Sequence, residues 1–131
     1  MTVHNIPPVY NESSRILILG SFPSVKSREQ AFFYGHPQNR FWKVLAAVFR
    51  SDAPGSAEEK KAFLLKNGVA LWDVIGSCDI TGSADTSIKN VQPNDVGMIL
   101  AAARIEKIFV NGKTAEKYYK KYVLPAVGRP A

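Results

Sequence analysis

The sequence predicts an α/β fold built on a short parallel sheet that helices cover on both sides. Three short apolar segments have the character of buried strands, and the segments between them carry apolar residues at helical spacing. Such alternation is typical of a parallel sheet. The chain has 131 residues, 46% of them hydrophobic, which suits a single domain over residues 1–131. We expect residues 1–14 to form an irregular arm, because Pro7 and Pro8 block a helix and residues 11–14 have turn chemistry.

The elements of the first half follow from apolar spacing and from end signals. Residues 15–19 (Arg-Ile-Leu-Ile-Leu) are a short apolar run ended by a glycine, which predicts a strand buried on both faces. Residues 38–49 carry apolar side chains at helical spacing and predict a helix. Ser56 and Glu59 have the spacing of a capping box, and residues 67–68 (Asn-Gly) supply a stop signal. A second helix is therefore expected between them.

The second half continues the alternation after one long interruption. Residues 69–72 (Val-Ala-Leu-Trp) predict the second strand. Residues 76–92 are rich in Gly, Ser, Asp and Thr and predict a long loop, a kind of segment that is often functional in a compact domain. Residues 94–103 predict a helix capped by its opening Asn-Asp pair, and residues 107–110 (Lys-Ile-Phe-Val) predict the third strand. Residues 113–122 predict a last, basic helix.

Composition excludes several classes of protein. The single cysteine, Cys78, excludes an intrachain disulfide and an all-cysteine metal site, and we expect it to be a small buried or half-buried thiol. The N-terminus has no basic stretch leading into an apolar core, and no apolar run is long enough to span a bilayer. We therefore expect a cytoplasmic monomer without membrane association.

The positive charge is concentrated at the C-terminal end. From Arg104 onward there are seven basic and two acidic residues, which accounts for most of the net charge of +6. A basic edge attracts polyanions, and nucleic acid is the usual partner. A solvated, lysine-rich helix face explains the charge equally well.

The ends of the three predicted strands are where a ligand site is expected. In open parallel sheets, ligands bind beyond the carboxyl ends of the strands. Residues 20–24 (Gly-Ser-Phe-Pro-Ser) form a tight turn whose backbone N–H groups can meet an anionic oxygen. Asp73 closes the second strand, and residues 111–114 (Asn-Gly-Lys-Thr) close the third with Lys113 placed for a phosphate. Each segment also fits an ordinary turn or capping role.

Residues 32–42 crowd aromatic and polar side chains beside a helix start. Aromatic faces suit stacking on a base, and an asparagine amide both donates and accepts hydrogen bonds. For Phe41 and Trp42 packing in the core is the preferred interpretation. His36 fits a loop position as well as a chemical role, and Asn39 also fits a helix cap.

One resemblance rests on four segments of the chain: residues 20–24, 34–43, 82–88 and 109–115. In this order, the four segments resemble the uracil-DNA glycosylase superfamily. More narrowly, they are similar to the hypoxanthine-DNA (deoxyinosine) glycosylases and their mismatch-specific uracil/thymine relatives. Order and spacing agree from about Arg15 to Tyr122. The resemblance implies a three-layer α/β/α sandwich with a short parallel sheet, DNA binding, and hydrolysis of an N-glycosidic bond without metal or cofactor.

The resemblance also assigns roles to residues. Phe22 occupies the place where the mismatch-specific relatives have the asparagine that holds the attacking water. In the hypoxanthine-type relatives the catalytic amide comes from the second segment, so the resemblance implies that Asn39 is this residue here. Asp73 would accept from the N1–H of hypoxanthine, and no lysine stands out as a Schiff-base nucleophile, so we expect a monofunctional enzyme. Ser83, Asn111 and Lys113 would contact DNA. The base pocket would be formed by Gly20, Ser21, Phe22, Pro23, Ser24, Tyr34, His36 and Asp73.

The expected function is removal of a deaminated base from DNA, with hypoxanthine as the first choice of substrate. The alternatives are a mismatch-specific uracil/thymine-DNA glycosylase and a non-catalytic nucleotide- or DNA-binding α/β domain. In the resembling family a fourth strand and a Ser/Pro-rich loop follow the basic helix. This chain stops at residues 128–131, so we expect a C-terminally truncated chain in which that strand is missing.

Overall fold

The computed structural model describes residues 2–3, 6–23, 27, 32–34, 40–82 and 84–131. Within these residues no helix combines the length and apolarity needed to cross a membrane. A 3₁₀ helix spans Asp85–Ser87 and a π-helical turn spans Tyr119–Val123. The remaining elements are β1 (Thr2–Val3), β2 (Ile16–Gly20), α1 (Phe41–Val48), α2 (Ala57–Lys66), β3 (Val69–Asp73), β4 (Ile75–Asp79), β5 (Lys89–Pro93), α3 (Val96–Ala102), β6 (Lys107–Val110), α4 (Lys113–Tyr118) and α5 (Leu124–Val127).

The predicted parallel sheet is confirmed. β2 lies in the middle, and both β3 and β6 run parallel to it. Gly20 at the end of β2 is opposite Asp73, and Leu19 is opposite Val110, so the carboxyl ends of the three strands meet at one edge. Leu17 and Leu19, which lie on the same face of β2, are completely buried, whereas Ile16 and Ile18 on the opposite face are only partly buried, so the strand is less fully covered than predicted. This edge is the place where the sequence predicts a ligand site.

The capping box of α2 is also confirmed. The Ser56 hydroxyl accepts from the Glu59 backbone N–H at 3.1 Å, and the Ser56 N–H donates to the Glu59 carboxylate at 3.2 Å. The two bonds satisfy backbone donors that the first turn of a helix leaves unpaired. The helix ends before Gly68, whose φ of +70° lies in the left-handed region that favours glycine. The chain then turns directly into β3.

The prediction of a long loop over residues 76–92 is wrong. β4 and β5 pair antiparallel, and β1 pairs with the other edge of β4, so a second, three-stranded sheet takes up both ends of this segment and restricts the loop to residues 80–88. The pairing has irregular register, and β5 is largely exposed. Its strands therefore lack the apolar alternation by which strands are recognised, because backbone hydrogen bonds rather than side-chain burial define them.

Residues 1–14 are less irregular than expected. Besides the short strand β1, Val9 forms an antiparallel bridge with Leu71 through two backbone hydrogen bonds, of 3.0 and 2.9 Å. Ile6 and Val9 are buried in the core. The predicted turn at residues 11–14 is present, since the Asn11 side chain accepts from the Ser13 N–H at 2.9 Å.

Two helix predictions need correction at their ends. No side chain caps the start of α3; the Asn94 amide instead donates to the backbone carbonyls of Asp73, at 2.8 Å, and Ile75, at 3.3 Å. The predicted helix over residues 113–122 is α-helical only through α4, passes through the π-helical turn, and continues as α5. Val48 is one of the apolar residues whose spacing predicts the helix over residues 38–49, yet its side chain is 66% exposed.

Candidate active site

A cavity of about 200 Å³ opens at the carboxyl edge of the parallel sheet. It is smaller than the roughly 300–1,000 Å³ of pockets for drug-sized ligands, which suits a single small ring system. The ends of all three parallel strands contribute to its wall, as the sequence predicts. The lining residues are Gly20, Ser21, Phe22, Pro23, Ser27, Phe33, Tyr34, Asp73, Ile80, Asp85 and Asn111.

Gly20 is the point at which the polar groups of the cavity converge. A Cβ at this position would lie 2.8 Å from the hydroxyl oxygen of Tyr34 and closer still to Oδ1 of Asp73. Real Cβ atoms do not approach other atoms so closely. The absence of a side chain at Gly20 therefore allows a phenol and a carboxylate to meet at the end of β2.

Asp73 is held by the backbone around it. It ends β3, and only 4% of its surface is exposed. The next two residues donate backbone hydrogen bonds to the end of β2 and the residue after it. The Val74 N–H donates to the Gly20 carbonyl at 2.8 Å, and the Ile75 N–H donates to the Ser21 carbonyl at 3.0 Å. Because the chain is fixed on both sides, the carboxylate has a defined position in the cavity wall.

Two contacts hold the side chain of Tyr34, and its backbone adopts an uncommon conformation. Its backbone has a φ of +53°, which is uncommon for a residue with a Cβ. Its ring stacks on Phe41 at a centroid distance of 4.1 Å, and its hydroxyl accepts a hydrogen bond of 3.0 Å from Nδ2 of Asn111. Burial raises the pKa of the Tyr34 hydroxyl, and the negative charge of Asp73 raises it further, against the opposing effect of the Asn111 bond. The hydroxyl therefore stays neutral and keeps its proton.

Asp85 is a lining residue that the sequence reasoning missed. Its carboxylate accepts a hydrogen bond of 3.0 Å from the hydroxyl of Thr114 in α4, which ties the 3₁₀ helix to the basic C-terminal end. The segment 82–88 was recognised, but only Ser83 was singled out in it. A carboxylate within a recognised segment was the signal that could have identified Asp85. Phe33 lies in the aromatic segment 32–42 that the sequence analysis noted, whereas Ser27 and Ile80 carried no comparable signal.

The predicted site residues fall into three groups. Gly20, Ser21, Phe22, Pro23, Tyr34, Asp73 and Asn111 line one cavity, so the structure brings the described part of the predicted pocket together. Lys113 is exposed at the start of α4, next in sequence to the cavity-lining end of β6. Ser24, His36, Asn39 and Ser83 lie outside the described residues, and their roles stay predictions.

Metal binding and charge complete the description of the site. In the part of the chain that the structure describes, no three His, Cys, Asp or Glu side chains are grouped as a metal site would require. Along the C-terminal helical region, Lys117 and Lys121 lie over the rings of Tyr118 and Tyr122, each at 5.2 Å from the ring centre. These ammonium groups form a basic surface on the same region that begins beside the cavity.

Comparisons with known proteins show the family to which the chain belongs. The sequence model of the Uracil DNA glycosylase superfamily matches residues 7–130. A curated protein from Methanosarcina barkeri named hypoxanthine DNA glycosylase is 33% identical over 130 residues, covering 98% of this chain and 81% of that protein. A protein of the same name from Methanosarcina acetivorans is 34% identical, covering 96% of this chain and 86% of its own length.

A solved structure shares the fold. A solution NMR structure from Methanosarcina acetivorans, provisionally described as a uracil DNA glycosylase, superposes with a TM-score of 0.80 at 30% identity. The match covers 95% of this chain and 78% of that one. The resemblance inferred from four short segments is thereby confirmed over nearly the whole chain.

Proposed function

Because the chain belongs to the uracil DNA glycosylase superfamily, we propose that this DNA glycosylase hydrolyses the N-glycosidic bond of a deaminated base, and that the base is hypoxanthine. The names of two relatives at 33% and 34% identity support this choice of substrate. The alternative of a non-catalytic nucleotide-binding domain is set aside, because the family match covers residues 7–130.

The buried carboxylate of Asp73 in the cavity wall is the observation that carries the proposal. Hypoxanthine presents an N1–H donor beside its O6 acceptor, and a carboxylate can accept from that N1–H. Adenine has a lone pair at N1 instead, so the same carboxylate would repel it. A buried polar group that loses its hydrogen-bonding partner costs about 1–3 kcal/mol, which makes this contact discriminating.

The base must leave the duplex before it can reach the cavity. Extrusion costs a few kcal/mol and is easiest for a mispaired base, which favours damaged over normal pairs. The basic C-terminal region, beginning with Lys113, supports the DNA backbone in our proposal. Such phosphate contacts supply affinity and make binding salt-dependent.

In the proposed reaction the N9–C1′ bond breaks and its electron pair leaves with the base. Asn39 positions a water whose oxygen bonds to C1′ as the sugar gains oxocarbenium character, and the water's second proton passes to solvent or to the departing base. Backbone N–H groups of the turn after Gly20 stabilise negative charge on the base. We propose a monofunctional enzyme, and no lysine is among the described residues that line the cavity.

A panel of duplexes containing hypoxanthine, uracil, xanthine or thymine opposite guanine tests the substrate. Abasic product is measured by alkaline cleavage under single-turnover conditions. We expect hypoxanthine to be released fastest, and Asp73→Asn to slow this release by about tenfold or more, since a charge-assisted hydrogen bond becomes a neutral one. Asp52→Asn, in the exposed segment before α2, is the matched control and should change nothing.

Release of uracil without release of hypoxanthine would refute the choice of substrate. It would favour the mismatch-specific alternative, because the N3–H and O4 of uracil present the same order of donor and acceptor to Asp73. Release of none of the four bases would refute the proposed function.

A further inference from the structure

The strongest unassigned feature of the cavity is the hydrogen bond between Asn111 and Tyr34, two residues 77 positions apart in the chain. The amide nitrogen of Asn111 can only donate, so the Tyr34 oxygen is the acceptor in this bond of 3.0 Å. The single proton of the hydroxyl must therefore point away from Asn111. Asn111 thus determines in which direction Tyr34 can donate.

The Tyr34 hydroxyl lies near the Asp73 carboxylate in the cavity wall. Tyr34, Asn111 and Asp73 line the same cavity. The Tyr34 hydroxyl oxygen and Oδ1 of Asp73 both come within 3.0 Å of the point that a Cβ on Gly20 would occupy, and are therefore separated by less than twice that distance. A hydroxyl donor and a carboxylate acceptor consequently stand side by side in the cavity wall.

The ring cannot easily turn away from this arrangement. Tyr34 has a left-handed backbone conformation, which persists in a residue with a Cβ only when its surroundings hold it there. The stacked ring of Phe41, at 4.1 Å and 20°, provides that support. The raised pKa of the hydroxyl, caused first by burial and then by the charge of Asp73, keeps the donor proton in place at working pH.

We infer that Tyr34 and Asn111 distinguish hypoxanthine from adenine, and uracil from cytosine, with the Tyr34 hydroxyl donating to the exocyclic oxygen of the deaminated base. Tyr34 is the specificity-determining residue, and Asn111 is a positioning residue that acts through it. This inference rests on the proposed function, since it concerns the base that the cavity receives.

The chemistry of deamination explains why this pair discriminates. Hypoxanthine and uracil present an N–H donor next to a carbonyl oxygen, which complements a carboxylate next to a hydroxyl donor. Adenine and cytosine present a ring nitrogen lone pair next to an amino group, so both positions are mismatched. Deamination replaces that amino group by oxygen, and this is the change that Tyr34 detects.

The same contact acts on the chemical step. When the glycosidic bond breaks, the electron pair that the base retains is shared with its exocyclic oxygen. A hydrogen bond to that oxygen becomes stronger as the charge develops, and it therefore raises the rate as well as the affinity.

Three variants test the inference. Tyr34→Phe removes the hydroxyl and keeps the ring that stacks on Phe41. Asn111→Asp keeps Tyr34 but replaces the amide donor by a carboxylate, which accepts the hydroxyl proton and turns it away from the cavity. Tyr10→Phe is the matched control, since Tyr10 packs against the core and is not a lining residue of the cavity.

Two readouts are needed. The first is the single-turnover rate of hypoxanthine release. The second is the affinity for duplexes with cleavage-resistant 2′-fluoro nucleosides that carry either hypoxanthine or unsubstituted purine, which lacks both the exocyclic oxygen and the N1–H. The ratio of the two affinities cancels changes in the binding of DNA, including the effect of the charge added by Asn111→Asp. Because Asp73 is the same in every variant, a change in this ratio from the wild-type value reports on the oxygen contact.

We expect Tyr34→Phe to slow hypoxanthine release by about 10- to 100-fold, the usual effect of losing a hydrogen bond to a charged group. Tyr34→Phe and Asn111→Asp should both lower the preference for hypoxanthine over unsubstituted purine by about tenfold, and the preference that remains comes from the contact of N1–H with Asp73, whereas Tyr10→Phe should keep the wild-type preference. A wild-type preference in whichever of the two variants folds would overturn the inference. If the wild-type protein releases no deaminated base, the proposed function fails first; if it releases hypoxanthine while the preference is unchanged in the variants, only the inference fails.

Discussion

Gly20→Ala is the substitution that probes the cavity most sharply with the smallest chemical change. Gly20 has no positive φ, so alanine can adopt its backbone conformation, and the effect comes from crowding alone. The new methyl group would lie 2.8 Å from the Tyr34 hydroxyl oxygen and nearer to Oδ1 of Asp73. An ordinary contact begins at 3.4 Å, so both oxygens must move away.

The size of the effect follows from this displacement. The Tyr34 oxygen must retreat by more than half an ångström, about the difference between 2.8 and 3.4 Å, and the carboxylate must retreat further. Misplacement of a reacting group by about 1 Å can cost on the order of 100-fold in rate. We therefore expect hypoxanthine release to fall about 100-fold, while overpacking lowers the free energy of unfolding by about 1–3 kcal/mol.

The assay compares single-turnover release with urea unfolding in the same preparation. Gly55→Ala is the control, because a Cβ there would meet only Glu59 Oε1, at an ordinary 3.7 Å. It should leave both release and stability nearly unchanged. A folded Gly20→Ala protein with wild-type release would refute the reasoning, since it would mean that Asp73 and Tyr34 need not stand at the end of β2 for the reaction.

Three further predictions follow from the structure. Ser56→Ala removes the hydroxyl that accepts from the Glu59 backbone N–H and should lower the free energy of unfolding by about 1 kcal/mol in urea titrations; unchanged stability would contradict the role of the cap. Lys113→Ala should weaken binding to any duplex alike and reduce the slope of log affinity against log salt by about 1, whereas Lys66→Ala in α2 should not; an unaltered slope would exclude a phosphate contact. Burial, and then the charge of Asp73, raise the pKa of Tyr34 above its ordinary value of 10.0, so its contribution to stability is complete below about pH 10 and is lost as the pH rises above that value. Tyr34→Phe should therefore lessen the fall in unfolding free energy between about pH 9 and about pH 11, and an identical fall in both proteins would contradict the raised pKa.

The sequence predicted the parallel sheet from the character of its strands. Residues 15–19, 69–72 and 107–110 are short, mostly apolar runs with clear ends, and such runs predict strands of a covered sheet. β3 is buried along its whole length, whereas one face of β2 is only partly buried and Phe109 in β6 is 48% exposed. The capping box at Ser56 is equally local, since both of its bonds lie within four residues. The ligand site at the carboxyl edge followed from the topology alone.

The second sheet and the finer contacts of the cavity could not be predicted in the same way. β4 (Ile-Gly-Ser-Cys-Asp) and β5 (Lys-Asn-Val-Gln-Pro) are polar and irregularly paired, so they carry no pattern. The Asn111–Tyr34 bond joins distant parts of the chain, and no spacing rule reaches that far. Asn111, predicted as a DNA contact, lines the cavity. The catalytic role of Asn39 stays a prediction.

The central claim is that a base swung out of the duplex enters the cavity at the end of β2 and is recognised there by its hydrogen-bonding edge. The most direct measurement is a crystal structure of the protein on a duplex with cleavage-resistant 2′-fluoro-deoxyinosine. We predict the hypoxanthine ring in this cavity, with N1–H against the Asp73 carboxylate and O6 against the Tyr34 hydroxyl. A ring bound elsewhere, or one that remains stacked in the DNA, would contradict the account.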